Sequence, residues 1–542
     1  MKIKNIINIK SVAFAGLLLF TTSCLNDLDV KVNDDELYTS EQFYANPNSY
    51  KQFLAKIYGG LAVTGQTSPN GNSDLGAEAD GGPNEGFSQY LRGYWQLQEL
   101  TTDEAIIAWG ESDNPTIKDL NFNTWNADNK FNEAFFARVF FQIGLVNEFL
   151  RETTDEKLSS RGVSSDLKAQ IKTFRAEVRF LRALTYYHAI DLYGKMPFAT
   201  ETDLIGTGVK PQMQSREYVF NYVINELNEI DADLVAAKAN EYGRADKAAA
   251  WMLKAKLYLN SKVYTGVDRS TEALVEVNKV IASPYKLATI PYADLFKADN
   301  NKNGAQDEII FPINFDGVRT KTYGGTTYLI FASSDKATGA TLGVGDGWAG
   351  FRVRQEFIQS VGNSDNRVMR VAGNTDPASI ADYSKFVQGA KVTKFSNKTA
   401  AGNNGSDLNF VDSDFPLFRM GDAYLMYVEL YVVNGKGDAA IALKYANDLR
   451  TRGGATSLTS LNYTSQDAKE NFILNERAKE LYWEGHRRQD LIRLNHYVTG
   501  YNWQWKGGSQ AGSSLPSTMT LFPIPNKYLN LNSNLSQNPG YN

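Results

Sequence analysis

Three aromatic side chains stand in polar or glycine-rich stretches of the sequence: Trp109, Tyr323 and Trp348. A flat ring can stack on the apolar C–H face of a sugar, while nearby Asp, Asn, Gln, Arg and backbone groups bond to the sugar hydroxyls. Aromatic residues of helical stripes, by contrast, are committed to packing. From the residues alone both outcomes stay open for these rings, and burial in the core is the more frequent one.

The only cysteine, Cys24, follows a segment with the features of a secretory signal. A basic start precedes the apolar run 12–20, and small residues stand directly before Cys24. The run is too short to span a bilayer as a permanent helix. We expect residues 1–23 to be a lipoprotein signal peptide, Cys24 to carry acyl chains and residues 24–40 to form a tether. A chance cysteine behind an ordinary signal peptide is the alternative.

Motifs for catalysis or metal binding are weak. Residues 345–350 match G-x-G-x-x-G without a preceding strand, and neither G-x-S-x-G nor H-E-x-x-H occurs. Asp103 and Glu104 are adjacent, so they do not normally face each other across a glycosidic bond. Oxygen donors alternate in the turn that contains Asp299, Asn301 and Asn303, which is consistent with structural calcium or, equally, with a plain solvated turn.

Composition excludes several classes of protein. The 56 Lys and Arg residues against 61 Asp and Glu residues give a net charge of −5, so no basic field exists for nucleic acid. With 3 His and 1 Cys, little is left for a transition-metal site. No second apolar stretch reaches the roughly 20 residues of a transmembrane helix.

Apolar residues at spacings of three and four predict amphipathic helices in several segments, many of them paired as in tetratricopeptide-type repeats. The clearest segments are 171–184, 217–234, 245–260, 271–281, 422–433, 439–450 and 467–484. Between them lie three loop-rich excursions of the length that usually serves function: about 61–129, 285–415 and 497–542. We expect one mainly α domain over residues 41–542, with a helical-repeat scaffold and a large loop-rich face.

Several sequence blocks resemble the SusD/RagB family of outer-membrane lipoproteins. They occur in the family's order from the lipoprotein signal to the last residues: RAEVRFLRAL (175–184), DLYGKMP (191–197), GRADKA (243–248), FPLFRMGDAYL (415–425), EGHRRQDL (484–491) and FPIP (522–525). The resemblance implies a lipid-anchored protein on the cell surface that captures glycans, without enzymatic activity, beside a TonB-dependent, SusC-like outer-membrane transporter.

The sequence is also similar to the starch-binding prototype of that family around Trp109, Tyr323 and Trp348. All three fall where the prototype has its curved aromatic platform, which implies that they bind starch or maltooligosaccharides. An arc of rings can follow a helical α-glucan, whereas a flat chain such as cellulose suits a planar strip.

The resemblance further implies that Arg92 and Asp80 bond to sugar hydroxyls, with an insertion relative to the prototype at residues 81–85. Two positions depart from the prototype: Ile107 replaces a tryptophan and Ser112 a binding asparagine. Asp113 or Asn114 is the expected substitute for that asparagine. The glucan preference therefore stays open.

Two other functions remain as alternatives to starch binding. The protein could bind a different glycan, or act as a helical-repeat adaptor of the transporter complex that binds no sugar. Hydrolysis is a further hypothesis with little support, because no carboxylate pair is distinguished. Within EGHRRQD, the charged residues Arg487, Arg488 and Asp490 are interpreted as structural groups that lock helix ends together.

Overall fold

The structure is a computed structural model and describes residues 39–69, 73–76, 85–110, 116–203, 206–362, 365–371 and 379–541. Cys24 with the expected signal peptide, Asp80 and Asp113 lie outside these ranges. The chain divides into two compact units, residues 1–49 and 50–542. Apart from one short helix and the beginning of the next, all elements described below belong to the second unit.

Helices dominate the described residues, which confirms the expected mainly α fold class. They are α1 Ser40–Tyr44, α2 Ser49–Gly59, α3 Tyr90–Glu99, α4 Ile117–Phe122, α5 Lys130–Glu152, α6 Asp155–Ser160, α7 Ser165–Tyr193, α8 Arg216–Glu229, α9 Lys247–Leu259, α10 Ser261–Thr265, α11 Ser270–Ile281, α12 Gly325–Ala332, α13 Gln355–Val361, α14 Met420–Val432, α15 Ala439–Arg452, α16 Gln466–Leu481, α17 Arg487–Arg493 and α18 Asn526–Leu531.

Strands are short and pair only two at a time in the described part of the chain. All three pairs are antiparallel: β1 (Ile106–Ile107) with β5 (Phe351–Arg352), β2 (Met196–Phe198) with β3 (Gln212–Gln214), and β4 (Ile309–Ile313) with β6 (Phe415–Arg419). The pairs β1–β5 and β4–β6 join distant loops to the helical scaffold.

Helix α7 shows how local sequence fixes the scaffold. The side chain of Ser164 caps its first turn by accepting from the amide of Leu167, and Gly194, with φ of +70°, ends it. Its apolar face is buried against α5 and α8. The same pattern of packing continues through α9 with α11, α11 with α14, and α14 with α15 and α16. Apart from α11 with α14, these helices pack on near neighbours in the sequence, as in helical repeats.

A network of buried charges holds the end of α16 against β6. Arg419 bonds to both carboxylate oxygens of Glu484 at 2.6 and 2.7 Å, to Glu480 at 2.7 Å and to Glu308 at 3.0 Å. These four side chains are at most 1% exposed. Arg452, Arg367 and Lys394 also pair with these carboxylates, so each buried charge has partners of opposite sign, which is the condition for keeping ions in a low-dielectric interior.

The EGHRRQD segment belongs to a neighbouring network, which confirms its structural interpretation. Arg487 bonds to the two carboxylate oxygens of Asp103 at 2.8 Å, and Asp490 accepts from Arg477 and Arg493 at 2.7 Å. Arg488 donates to the carbonyl of Thr520 at 2.7 Å. The segment joins α16, α17 and the loop before β1.

Two excursions contain fully buried helices that the sequence pattern does not indicate. Helix α3 lies inside the first excursion and α12 inside the second. Every residue of both helices is buried, so neither shows the alternation of polar and apolar faces that marks a surface helix. In the part of the chain that the structure describes, every helix is too short or too polar to cross a membrane.

Candidate functional site

The strand pair β1–β5 brings the first predicted ring to the loop of the third. Ile107 of β1 pairs with Phe351 of β5, and the amide of Ala108 donates to the carbonyl of Gly350 at 2.9 Å. Trp109 follows directly, and its Nε1 donates to the carbonyl of Trp348 at 3.0 Å. The indole of Trp109 is therefore held in place by the backbone that carries the second indole.

Main-chain hydrogen bonds fix the loop of Trp348 to the end of α12. The amides of Trp348, Ala349 and Gly350 donate to the carbonyls of Phe331, Ser334 and Ala332 at 2.7, 2.7 and 2.8 Å, respectively. The Trp348 ring stacks on the buried ring of Phe331 with centroids 4.8 Å apart.

A glycine permits close packing within this loop. A Cβ at Gly350 would lie 3.0 Å from the Trp109 ring. A side chain at this position would require the indole to move by a few tenths of an ångström.

A buried carboxylate positions Tyr323 at the other end of α12. Glu85 accepts from the amide of Tyr323 at 2.7 Å, and its second oxygen accepts from the hydroxyls of Thr64 and Thr322 at 2.6 and 3.1 Å. Gly86 allows close contact, since a Cβ there would lie 2.5 Å from the carbonyl carbon of Tyr323. The Tyr323 loop is thus set by a defined polar anchor.

The structure brings the three predicted rings together in the order Trp109, Trp348, Tyr323. The centroid of Trp348 lies 6.2 Å from that of Trp109 and 6.3 Å from that of Tyr323, with interplanar angles of 50° and 51°. All three rings are partly exposed. Successive rings are strongly tilted, so they form a curved aromatic surface rather than a flat strip.

Arg92 lies beneath this aromatic surface. Its side chain is almost fully buried, its guanidinium carbon sits 4.2 Å from the centroid of Tyr328, and its Nη1 donates to the carbonyl of Tyr323 at 3.4 Å. In this position it supports the Tyr323 loop from below. Direct bonding of Arg92 to a ligand stays a prediction, as do the contributions of Asp80 and Asp113 outside the described residues. Ile107, which stands where the prototype has a tryptophan, is buried in β1.

Several residues that the sequence did not single out lie beside the rings in space or in sequence. The Phe410 ring lies 5.4 Å from that of Tyr323, and the Phe351 ring stacks behind Trp109 at 6.5 Å. Asp346, two residues before Trp348, has a side chain that is 70% exposed and pairs with Lys336 at 3.3 Å. Asp346 could have been found from the sequence, because it stands close to Trp348. Phe410 and Phe351 could be identified only from the folded structure.

The calcium candidates form a hydrogen-bonded turn. Asp299 accepts from the amide of Ala400 at 2.9 Å and from Nδ2 of Asn303 at 3.2 Å, while Oδ1 of Asn303 accepts from the amide of Ala305 at 3.0 Å. Asn301 is exposed. Calcium binding stays a prediction. Among the described residues, His, Cys, Asp and Glu side chains form no group of three or more that could hold a metal ion.

The acidic pair Asp103 and Glu104 is buried away from solvent. Burial acts to raise the pKa of Asp103, but Arg487 outweighs burial and holds that pKa below its ordinary value. For Glu104 burial dominates and raises the pKa to about 8. A polymer cannot reach these groups, so their geometry supports a structural role rather than a glycosidase pair.

Comparison with known proteins decides the family. The chain is 34% identical to the starch-binding protein SusD of Bacteroides thetaiotaomicron, over an alignment of 592 residues that covers all of both chains. This chain belongs to the SusD family. A family model with that description also matches residues 362–541. The resemblance predicted from the sequence blocks is confirmed.

Solved structures of SusD-like proteins share the fold. A SusD homolog from Bacteroides thetaiotaomicron superposes with a TM-score of 0.69 at 21% identity, covering 95% of this chain and 100% of that chain. Surface glycan-binding protein A from the same species, solved in complex with laminarihexaose, gives a TM-score of 0.65 at 19% identity over 90% of this chain and 98% of that chain. The SusD-like fold class is thereby confirmed.

Proposed function

We propose that this protein binds starch or related α-glucan oligosaccharides by stacking them on Trp109, Trp348 and Tyr323. The observation that carries the proposal is the tilt of about 50° between successive, partly exposed rings. A coiled glucan presents its apolar faces along a curve, and such a surface can contact consecutive sugar units. The full-length similarity to a starch-binding protein supports the same ligand class.

In this proposal, the protein acts at the outer surface of the outer membrane and is anchored through acyl chains on Cys24. It passes the captured oligosaccharide to a TonB-dependent, SusC-like transporter and does not cleave it. The signal-like segment before Cys24 and membership of the SusD family support this placement.

A β-glucan is the second candidate ligand. A structural neighbour was solved with laminarihexaose, and the tilted rings do not by themselves distinguish two curved glucans. The choice between an α-glucan and a β-glucan therefore requires a direct comparison of the two ligands.

Affinity gel electrophoresis across amylose, pullulan, laminarin and a soluble cellulose derivative makes that comparison. We expect the strongest retardation in amylose, a marked decrease of that retardation in Trp348→Ala, and no release of reducing sugar. Retardation by laminarin alone would move the assignment to a β-glucan. No retardation in any gel would favour the adaptor role, and reducing-sugar release would establish an enzyme.

A further inference from the structure

The third excursion, residues 497–542, supplies none of the three rings of the aromatic surface. It borders a separate cleft. This cleft has a volume of about 490 Å³ and lies between residues 123–127 and two parts of the excursion, 513–519 and 540–541. Trp125, Leu515 and Met519 form a buried apolar floor. A cleft with an apolar floor is the usual form of a small-ligand site.

None of the side chains that line the cleft carries a charge. On its rim, Thr124, Asn126 and Ser514 are exposed. The hydroxyls of Thr124 and Ser514 have no hydrogen-bond partner among the described residues, so they can bond to a ligand without breaking an existing contact. The apolar floor, the hydroxyl and amide groups of the rim and the uncharged lining together match a neutral, hydroxyl-rich ligand.

The aromatic part of the cleft is already ordered. Trp125 stacks on Phe522 with centroids 4.5 Å apart, and its Nε1 donates to the hydroxyl of Tyr541 at 2.8 Å. That hydroxyl in turn donates to the carbonyl of Leu521 at 2.7 Å. Because both lining rings are held by the protein itself, little ordering cost would accompany binding.

A second group of rings flanks the cleft. The Trp505 ring stacks on that of Phe122 at 5.2 Å, and the Tyr383 ring lies 5.1 Å from Phe122 and 6.2 Å from Trp505. All three rings are partly exposed. Phe122 directly precedes the lining residue Asn123, and Trp505 stands two residues before the lining residue Gly507.

The backbone at Trp505 is held in an uncommon conformation. Its φ of +70° lies in the left-handed region, which is unfavourable for a bulky side chain and persists only where surrounding contacts enforce it. One such contact is the bond from Nε1 of Trp505 to the carbonyl of Ile380 at 3.0 Å.

Two buried arginines on and after β5 fix the loops of these rings. Arg352 donates to the carbonyls of Tyr383 and Lys385, each at 2.5 Å. Arg354 donates to the carbonyls of Asn121 at 2.7 Å and Gln504 at 2.8 Å, the residues directly before Phe122 and Trp505. Strand β5 also pairs with β1 beside Trp109, so one structural element supports both aromatic surfaces.

We propose that this cleft and its flanking rings form a second binding site, for one or two units of a neutral carbohydrate. The inference shares its ligand class with the proposed function, but it involves none of the same side chains. The uncharged lining favours a neutral sugar over a sulfated or uronic polymer.

Titration calorimetry of the mature chain with maltoheptaose and laminarihexaose tests this site, with dextran sulfate as the charged control. Trp348→Ala removes the first site, and Thr124→Trp then fills the exposed rim of the second. We expect Trp348→Ala to retain weak binding of a neutral probe, and the double variant to lose it by about tenfold or more. Trp505→Ala, added to Trp348→Ala, provides an independent variant, and thermal melting verifies that each protein is folded.

The outcomes separate the two proposals. The second site is overturned, and the first stays intact, if Trp348→Ala shows no residual binding. The same holds if both double variants bind the probe as well as Trp348→Ala does. Binding that survives Trp348→Ala undiminished but disappears with Thr124→Trp alone supports the second site and overturns the first. Preferential binding of dextran sulfate to the cleft, or no binding of any probe by the native chain, also overturns the second site.

Discussion

The buried charge network and the curved aromatic surface use opposite means to hold side chains in place. In the network around Arg419, formal charges meet at 2.6 to 3.0 Å and are at most 1% exposed. At the aromatic surface, main-chain amides and carbonyls fix partly exposed rings, as they do for Trp109 and Trp348.

This difference separates the work of the scaffold from that of the site. Buried ion pairs must be complete, so removing one partner destabilises the fold. Rings held at the surface keep part of their area available, so truncating one should cost less stability than breaking the network, while it removes contact to a ligand. Changes in the two regions should therefore affect different measurements.

The largest effect is expected from Arg419→Ala. Glu480, Glu484 and Glu308 would lose their shared partner inside the protein, which should lower the free energy of unfolding by about 3–5 kcal/mol. Urea denaturation measures this change. Lys444→Ala is the matched control, because the pair of Lys444 and Asp448 is solvent-exposed and should matter by less than about 1 kcal/mol. Similar small losses in both variants would contradict the role of the network.

Acid should weaken the same network. Burial acts to raise the pKa of Glu480, but Arg452, Arg419 and Arg367 outweigh it and hold the pKa at about 2, below its ordinary value of 4.5. In the neighbouring network, burial acts to raise the pKa of Asp490, but Arg477 and Arg493 outweigh it and hold that pKa at about 2. A lowered pKa stabilises the fold above the unfolded value, and that contribution disappears as pH falls toward the folded value.

The free energy of unfolding should thus fall by on the order of 2 kcal/mol or more between pH 4.5 and pH 2. Denaturant titrations at a series of pH values measure it. A stability that stays constant over this range would show that these carboxylates are not held in their charged form.

A smaller effect is expected from Gly86→Ala, and its readout is ligand affinity. The new methyl group would lie 2.5 Å from the carbonyl carbon of Tyr323, so the Tyr323 loop must move. We expect affinity for the preferred glucan to fall by about tenfold, as measured by calorimetry. Gly144→Ala is the control, since its Cβ would meet no atom within 4 Å. Equal affinities of the two variants would show that the position of Tyr323 is unimportant.

The repeat scaffold was predictable because amphipathic periodicity is a local signal. The segment 271–281 becomes helix Ser270–Ile281, and the segment 439–450 becomes Ala439–Arg452. Helix α3 could not be predicted in this way. All its residues are buried, including Arg92 and Glu99, so its sequence shows no amphipathic pattern with a solvent-facing side.

The rings of the candidate site were identified from their polar surroundings and from family resemblance, whereas their support was not. Glu85 holds the Tyr323 loop from a position 238 residues earlier in the chain. The stacking of Trp348 on Phe331 likewise depends on how α12 is buried. Such contacts between distant segments arise from packing and leave no periodic pattern in the sequence.

Calorimetric titration of a cyclic maltooligosaccharide into the native protein and Trp348→Ala tests the curved aromatic surface most directly. Trp348 is the middle ring, in contact with both others, so its removal should weaken binding by at least about tenfold while the thermal midpoint stays nearly unchanged. Undiminished affinity in Trp348→Ala would contradict the assignment of these rings as the glucan-binding surface.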